Sequence, residues 1–376
     1  MPEPRRLLFI SNGIGEDSIG AEIVRRLPSE LRAEAYPTLG SGRHYEGVCP
    51  IVGPRARLAS EGSRVRRGTV TQDIATGGLA TIPPGLAFMR RARSRYDHVV
   101  VIGDFIGVLG CWLSGIRGIT YLDVYKTGYG RPYASLERWV IARTCRRVFN
   151  RSQRLADSLT AAGIDARAVG NVMMDTVTSG DYDAGARRRH AQAIALLPGS
   201  REQTAANLAL QVAALRLLPE SILPDLFLGV AGGVDPAGLA GAAGMSWTPS
   251  PAGGADAGAL SDGRLTIHLA RGATGNIIDA ADLVLSQAGT ATIQALGMGR
   301  AVITFVRPGD RRKRFEEENR LFGEARLLVE ADAAQLAAAV ERLLTDPSEL
   351  ARLGAAGHRS IGGPGAIDAI ISSLLE

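Results

Sequence analysis

The chain reads as two doubly wound α/β domains, and three observations predict this. Short apolar runs of strand length alternate with amphipathic helical runs through both halves, the pattern of βα units on a parallel sheet. Glycine-bearing turns directly follow several of those strands. A polar, charged and aperiodic stretch at 178–190 separates the halves. With 376 residues and 45% hydrophobic content, the chain can bury two cores of ordinary size. The expected division is an N-terminal domain over 1–178, a linker over 179–190 and a C-terminal domain over 191–358. A last helix within 359–376 is expected to pack back on the N-terminal domain.

Taken in order, residues 6–11 form a buried first strand, followed by a glycine loop (Asn12, Gly13, Ile14, Gly15, Glu16, Asp17) and a helix with Ile19, Ile23 and Leu27 on one face. A dinucleotide fingerprint would need a glycine at position 18 and an acidic end to the second strand. Ser18 and Thr38-Leu39-Gly40 stand there, which argues against NAD. Residues 40–85 read as a long connection. The apolar, Gly/Pro-broken segment 77–89 lies between arginine clusters at 64–67 and 90–95, and reads either as a membrane-interface segment or as a core-facing helix with a solvated basic end. The strand 98–102 ends in Gly103-Asp104, before an apolar helix. An aspartate there serves either as a helix cap or in chemistry. Strands at 119–124, 147–149 and 166–169 complete this half.

The second half alternates again. The strand 193–197 breaks into Pro198-Gly199-Ser200-Arg201, and a helix follows at 203–218. A strand running through a glycine turn into a helix N-terminus leaves backbone N–H groups and the positive end of the helix dipole for an anion. Arg201 adds a fork of donors suited to phosphate. Strands follow at 226–230, 265–269, 282–286 and 301–305, with a Gly/Ala/Pro-rich segment at 231–263. The strand 282–286 opens into a second such turn, Gln287-Ala288-Gly289-Thr290. In one parallel sheet both turns face the same edge, so their donors can converge on a diphosphate. The expected active site is the cleft where the two domains face each other.

Composition limits the alternatives. Cys49, Cys111 and Cys145 are too few and too dispersed for a disulfide framework or a metal motif, and the five histidines form no cluster. No leader segment and no membrane-spanning run is read from the sequence. Residues 1–170 carry 25 basic and 15 acidic side chains, against 18 and 23 in 171–376. The first half is therefore expected to meet something anionic. No aromatic-interleaved basic stripe points to nucleic acid.

Several stretches together resemble lipid-A-disaccharide synthase: Leu197-Pro198-Gly199-Ser200-Arg201, Val169-Gly170-Asn171-Val172-Met173-Met174-Asp175, Ser286 to Thr292, and Ser11 with Asp17-Ser18-Ile19-Gly20-Ala21. The opening Ser11-Asn12-Gly13-Ile14-Gly15-Glu16-Asp17 is more similar to the uncharacterised branch related to that synthase. The resemblance implies the GT-B fold, two Rossmann-like domains facing across a cleft. It implies an inverting hexosyltransferase with a UDP-sugar co-substrate, no metal and no other cofactor. It also implies a lipid-like or amphipathic acceptor, reached by peripheral contact with an anionic membrane from the cytoplasm. By the same resemblance Asp104 is the candidate base, and Gly199, Ser200, Arg201, Gly289 and Thr290 hold the donor diphosphate. Asn276 and Gln287 are counted with that set. Gln294 stands where such enzymes place a ribose-binding glutamate, and Asn171 where the synthase has a histidine. Gly13, Gly15, Glu16 and Asp17 are the acceptor-side candidates. Two alternatives stay open: a sugar-nucleotide 2-epimerase, and a non-catalytic nucleotide-sugar-binding protein.

Overall fold

The computed structural model describes residues 4–55, 82–130, 132–200 and 202–376. The chain forms two compact units, Met1–Thr176 with Pro364–Glu376, and Val177–Gly363. The segment 177–190 thus clusters with the second unit and the last helix with the first.

Among the described residues, the first unit holds six strands: β1 (Arg5–Ser11), β2 (Leu31–Pro37), β3 (His98–Gly103), β4 (Ile119–Asp123), β5 (Cys145–Asn150) and β6 (Ala166–Arg167). They form a parallel sheet in the order β2-β1-β3-β4-β5-β6. Alternation along each strand sorts its side chains between two cores. Leu8, Ile10, Val99, Val101 and Tyr121 face one side, packed with Met89, Val108 and Val140 from the helices Ile82–Ala92, Phe105–Leu113 and Ser135–Thr144. Leu7, Phe9, Val100 and Ile102 face the other, against Ile19 and Ile23 of the helix Ile14–Arg25 and Ile367, Ile370 and Leu374 of the terminal helix Ala366–Leu375. Asp175 fastens that terminal helix by accepting from the Gly365 and Ile367 amides at 2.7 and 3.1 Å. The described part of the segment 77–89 is largely core-facing. Leu86 and Phe88 pack on the first core, and Met89 belongs to it.

The second unit contains β7 (Ala193–Leu197), β8 (Asp225–Val230), β9 (Ser246–Thr248), β10 (Asp256–Ser261), β11 (Thr266–Arg271), β12 (Leu283–Ser286), β13 (Ala301–Val306) and β14 (Arg326–Glu330), in the sheet order β14-β13-β12-β7-β8-β11-β10-β9. All pairings are parallel except β11-β10-β9, an antiparallel extension. Two strands of that extension and the helix Pro236–Ala243 occupy the 231–263 segment that the sequence leaves unassigned. Of the residues in β10 only Leu260 is a large apolar side chain in the core, so no hydrophobic periodicity announces it. Ile194, Leu196, Leu226, Leu228, Ile267 and Leu269 face the helices Thr204–Leu215, Pro236–Ala243 and Ala333–Leu344 across one core. No helix among the described residues is long and apolar enough to cross a membrane.

Candidate functional site

In an open parallel sheet, ligands bind beyond the carboxyl ends of strands whose connections leave in opposite directions. In the first unit that point is β1/β3, since β1 pairs with β2 on one side and β3 on the other. The loop after β1 and Asp104 after β3 meet there. Asn12 Nδ2 donates to Asp104 Oδ1 at 2.7 Å, and the Ile106 amide donates to the same oxygen at 2.9 Å. Asp104 therefore caps its helix and also stands partly exposed at the switch point. Of the two readings open from the sequence, the helix cap is present, and the same carboxylate stands where a ligand would bind.

The glycine loop is shorter than its sequence suggests. The helix begins at Ile14, so Gly15, Glu16 and Asp17 lie in its first turn. Gly13 precedes that turn, and a Cβ there would overlap the Glu16 carboxylate. Asp17 is 3% exposed and points beneath the loop. It accepts from Ser11 Oγ at 2.6 Å, and Ser11 Oγ lies 3.2 Å from the fully buried Tyr45 hydroxyl. A side chain at Gly20 would overlap that hydroxyl. Burial raises the Asp17 carboxyl to about 7, the Ser11 hydrogen bond opposes this, and the Glu16 charge adds to it. Gly13, Gly15 and Glu16 thus surround the switch point, while Asp17 anchors it from below. Tyr45, in a single turn of the long connection, carries no periodicity by which the sequence could find it.

Asp123, at the carboxyl end of β4, is a further group absent from the sequence reading. It is buried, accepts from the Tyr125 and Lys126 amides at 2.9 Å each, and accepts from the Tyr133 hydroxyl. Burial raises its carboxyl, against those hydrogen bonds. Its work is to fold the loop after β4 onto Tyr133. Asn171 accepts from the Met173 amide at 3.1 Å and shapes its own turn.

In the second unit the switch point is β7/β12, and both glycine turns emerge there. They adjoin: the Gln287 amide donates to the Leu197 carbonyl at 2.9 Å. Gly199 has φ +103°, a conformation that side-chain-bearing residues rarely adopt. Asn207 Nδ2 donates to the Pro198 carbonyl at 2.7 Å and fixes the turn. Ser200 is exposed; Arg201 lies outside the described residues.

Asp235, Asp332 and Asp346 cap other helices of this unit, but the helices Thr204–Leu215 and Gly289–Gly297 have no side-chain cap. A helix start of this kind, after a strand and a glycine turn, is a place where an anion can be held. Gly289 is exposed and Thr290 half-buried in one of these turns.

The structure adds Arg307, which follows β13 directly and precedes Pro308-Gly309, a strand-to-glycine turn that the sequence reading passed over. Arg307 Nη1 donates to Gln203 Oε1 at 2.8 Å, at the start of the helix Thr204–Leu215. The guanidinium lies 5.1 Å from the centre of the Phe305 ring. Gln287 Nε2 donates to the Phe305 carbonyl at 2.8 Å, so the end of β13 is tied to both turns. Two other candidate residues are engaged within the second unit itself. Asn276 engages its whole amide with Gly180 and Tyr182 at 3.0–3.1 Å, holding the 178–182 segment. Gln294 is 5% exposed. Among the described residues no histidine, cysteine and carboxylate cluster could hold a metal ion.

No protein-family description matches the chain, and no curated protein does either. Solved structures match it over nearly its whole length. One is a Listeria monocytogenes protein described as a candidate UDP-N-acetylglucosamine 2-epimerase, at 16% identity and TM-score 0.62, covering 100% of this chain and 96% of that one. MurG of Acinetobacter baumannii is 14% identical with TM-score 0.58, covering 99% of both chains. A UDP-glucosyltransferase of Polygonum tinctorium is 11% identical with TM-score 0.59, covering 100% and 98%. At such identities the likeness establishes the fold: two Rossmann-like α/β units of the GT-B class. The narrower likeness to lipid-A-disaccharide synthase stays with the sequence motifs.

Proposed function

We propose that this protein is an inverting glycosyltransferase that moves a sugar from a UDP-sugar to a hydroxyl of a lipid-like or amphipathic acceptor. The observation that carries this is the pair of uncapped helix N-termini at β7/β12, with Arg307 beside them. Together they suit a diphosphate, the group that must be held and then released. Asp104 has the place of a base. As the acceptor oxygen bonds to the anomeric carbon, the bond from that carbon to UDP breaks and Asp104 takes the hydroxyl proton. Asn12 holds the carboxylate for that purpose, while the cradle stabilises the charge building on the leaving diphosphate. No further cofactor is invoked. The lipid-like acceptor and peripheral contact with the inner face of the plasma membrane follow from the sequence resemblance and the basic first half.

Thermal shift with UDP, UDP-N-acetylglucosamine, GDP, ADP and NAD tests the donor class. A ligand at 100 times its Kd should raise the Tm by about 5–10 °C for a unit of this size. Stabilisation by the UDP ligands, lost in Arg307→Ala, is the expected result; stabilisation by NAD instead would refute the reading. The likeness to the 2-epimerase keeps a second reading, which acceptor-free conversion of the UDP-sugar to its C2 epimer would establish.

A further inference from the structure

Among the described residues, every exposed large apolar side chain except Leu217 belongs to the first unit. Two neighbouring helices carry a contiguous set of them. On Phe105–Leu113, Ile106 and Leu113 are exposed one above the other, with Leu109 half-buried between them at helical spacing. On Ser135–Thr144, Leu136 is 68% and Trp139 42% exposed. The two helices touch through an edge-to-face pair, Trp112 against Trp139, with ring centres 5.5 Å apart. Such a stripe on a helix ordinarily faces a core; here nothing among the described residues covers it.

The charge around the stripe is one-sided. Residues 105–147 include seven basic side chains and two acidic ones; of the basic ones Arg147 is buried and bonded to Asp165 and Glu376, and Asp104 stands just before this range. Both acids are turned away: Asp123 is buried on Tyr133, and Glu137 binds Lys126 at 2.9 Å. Arg143 stacks on Trp139 at 4.1 Å and donates to the Trp139 carbonyl. Arg138 and Arg117 also donate to backbone carbonyls, those of Tyr133, Trp112 and Ile116. None of these three arginines pairs with a carboxylate among the described residues. Exposed Trp and Leu beside unpaired arginines match an anionic bilayer interface, where aromatic rings sit at headgroup level and each basic side chain adds attraction.

We infer that the face formed by Ile106, Leu113, Leu136 and Trp139, rimmed by Arg117, Arg138 and Arg143, docks on anionic phospholipid. The inference rests on the lipid-acceptor reading above and deepens it. Ile106, whose amide bonds Asp104, is the stripe's outward residue nearest that carboxylate, so the docked face leads directly to the proposed base. The core-facing helix Ile82–Ala92, singled out in the sequence, is its neighbour and not its centre.

The test is co-sedimentation of the full chain with phosphatidylcholine vesicles, with and without phosphatidylglycerol, followed also by tryptophan emission. Binding is expected only to the anionic vesicles, with a blue-shifted emission and release by salt. Leu136→Glu with Trp139→Glu should lower partitioning by more than about tenfold. Arg138→Gln and Arg143→Gln should each lower it about fivefold. An unfolding transition of the first unit at the wild-type temperature in all variants certifies that they are folded. Equal sedimentation of wild type and variants, or no binding to anionic vesicles, overturns the inference. So does a concentration-dependent dimer that the Leu136/Trp139 variant abolishes, since a second copy would then be the occupant. A missing UDP shift in a chain that still binds vesicles counts against the donor reading and leaves the docking face standing.

Discussion

Asn12 and Asp104, 92 positions apart in sequence, are joined by a 2.7 Å hydrogen bond across the β1/β3 switch point. A neutral donor is thereby aimed at a carboxylate that also caps a helix. Asp104→Asn keeps an oxygen for the cap, so folding should be retained. The lost base should lower kcat/KM by about 10²- to 10⁴-fold while UDP affinity is unchanged. Calorimetry beside steady-state rates separates the two; full activity in the variant would remove Asp104 from the chemistry.

Arg307 should act on the other substrate. Losing a charge-assisted contact of about 1.5–3 kcal/mol predicts roughly 10- to 100-fold weaker UDP binding in Arg307→Ala. Arg307→Lys should recover only part of it, because a single ammonium cannot hold Gln203 and a phosphate in the same fork geometry. An unchanged Kd in the alanine variant would show that the guanidinium merely braces Gln203.

Asp17 makes stability depend on pH. Its carboxyl is raised to about 7 in the folded chain from an ordinary value of 3.8, so between these values the folded state holds a proton that the unfolded state has lost. Its contribution is full below about pH 4 and is lost as pH rises through 7. His98 runs the opposite way in the acid range. Burial lowers it to about 4, so its neutral form adds stability as pH rises towards 6.5. The difference between wild type and Asp17→Asn isolates the carboxyl. The unfolding free energy of the variant relative to wild type, from urea titration, should rise between pH 5 and pH 8 by an amount of order 2–4 kcal/mol.

Asp175→Ala removes the acceptor for two amides at the start of the terminal helix, in a place that is 7% exposed. About 2–3 kcal/mol of first-unit stability should go with it. Thermal unfolding should then show the first unit melting earlier, with UDP stabilisation of the second unit preserved.

Much of this architecture is legible in the sequence, for a physical reason. Central parallel strands such as Leu7–Ile10, Val99–Ile102 and Ile194–Leu197 are buried on both faces, so they appear as unbroken apolar runs. The glycine turns after them mark the sheet edge where ligands bind. The strands that stay hidden are those with little buried apolar surface: β10 offers one large core residue, and β14 is mostly half-buried. Site residues split along the same line. Gly199 and Asp104 follow strands and can be found by position. Arg307 also follows a strand and could be found in the same way, whereas Tyr45 reaches its place only through tertiary packing, and the partners of Asn276 at Gly180 and Tyr182 are not visible in the sequence. Exposure of Leu136 and Trp139 is invisible as well, since their helix has an ordinary amphipathic pattern.

The first unit is assembled from two separated pieces of chain, 1–176 and 364–376, with the whole of the second unit encoded between them. During synthesis the sheet of the first unit is made early, but the face that the helix Ile14–Arg25 covers in part stays incomplete until Ile367, Ile370 and Leu374 leave the ribosome. The nascent protein therefore carries an open apolar surface throughout translation of 187 intervening residues, from Val177 to Gly363. The second unit can complete its core first. Chaperone demand should fall on that interval, and the order of folding in the cell should be the reverse of the order of the domains in the gene.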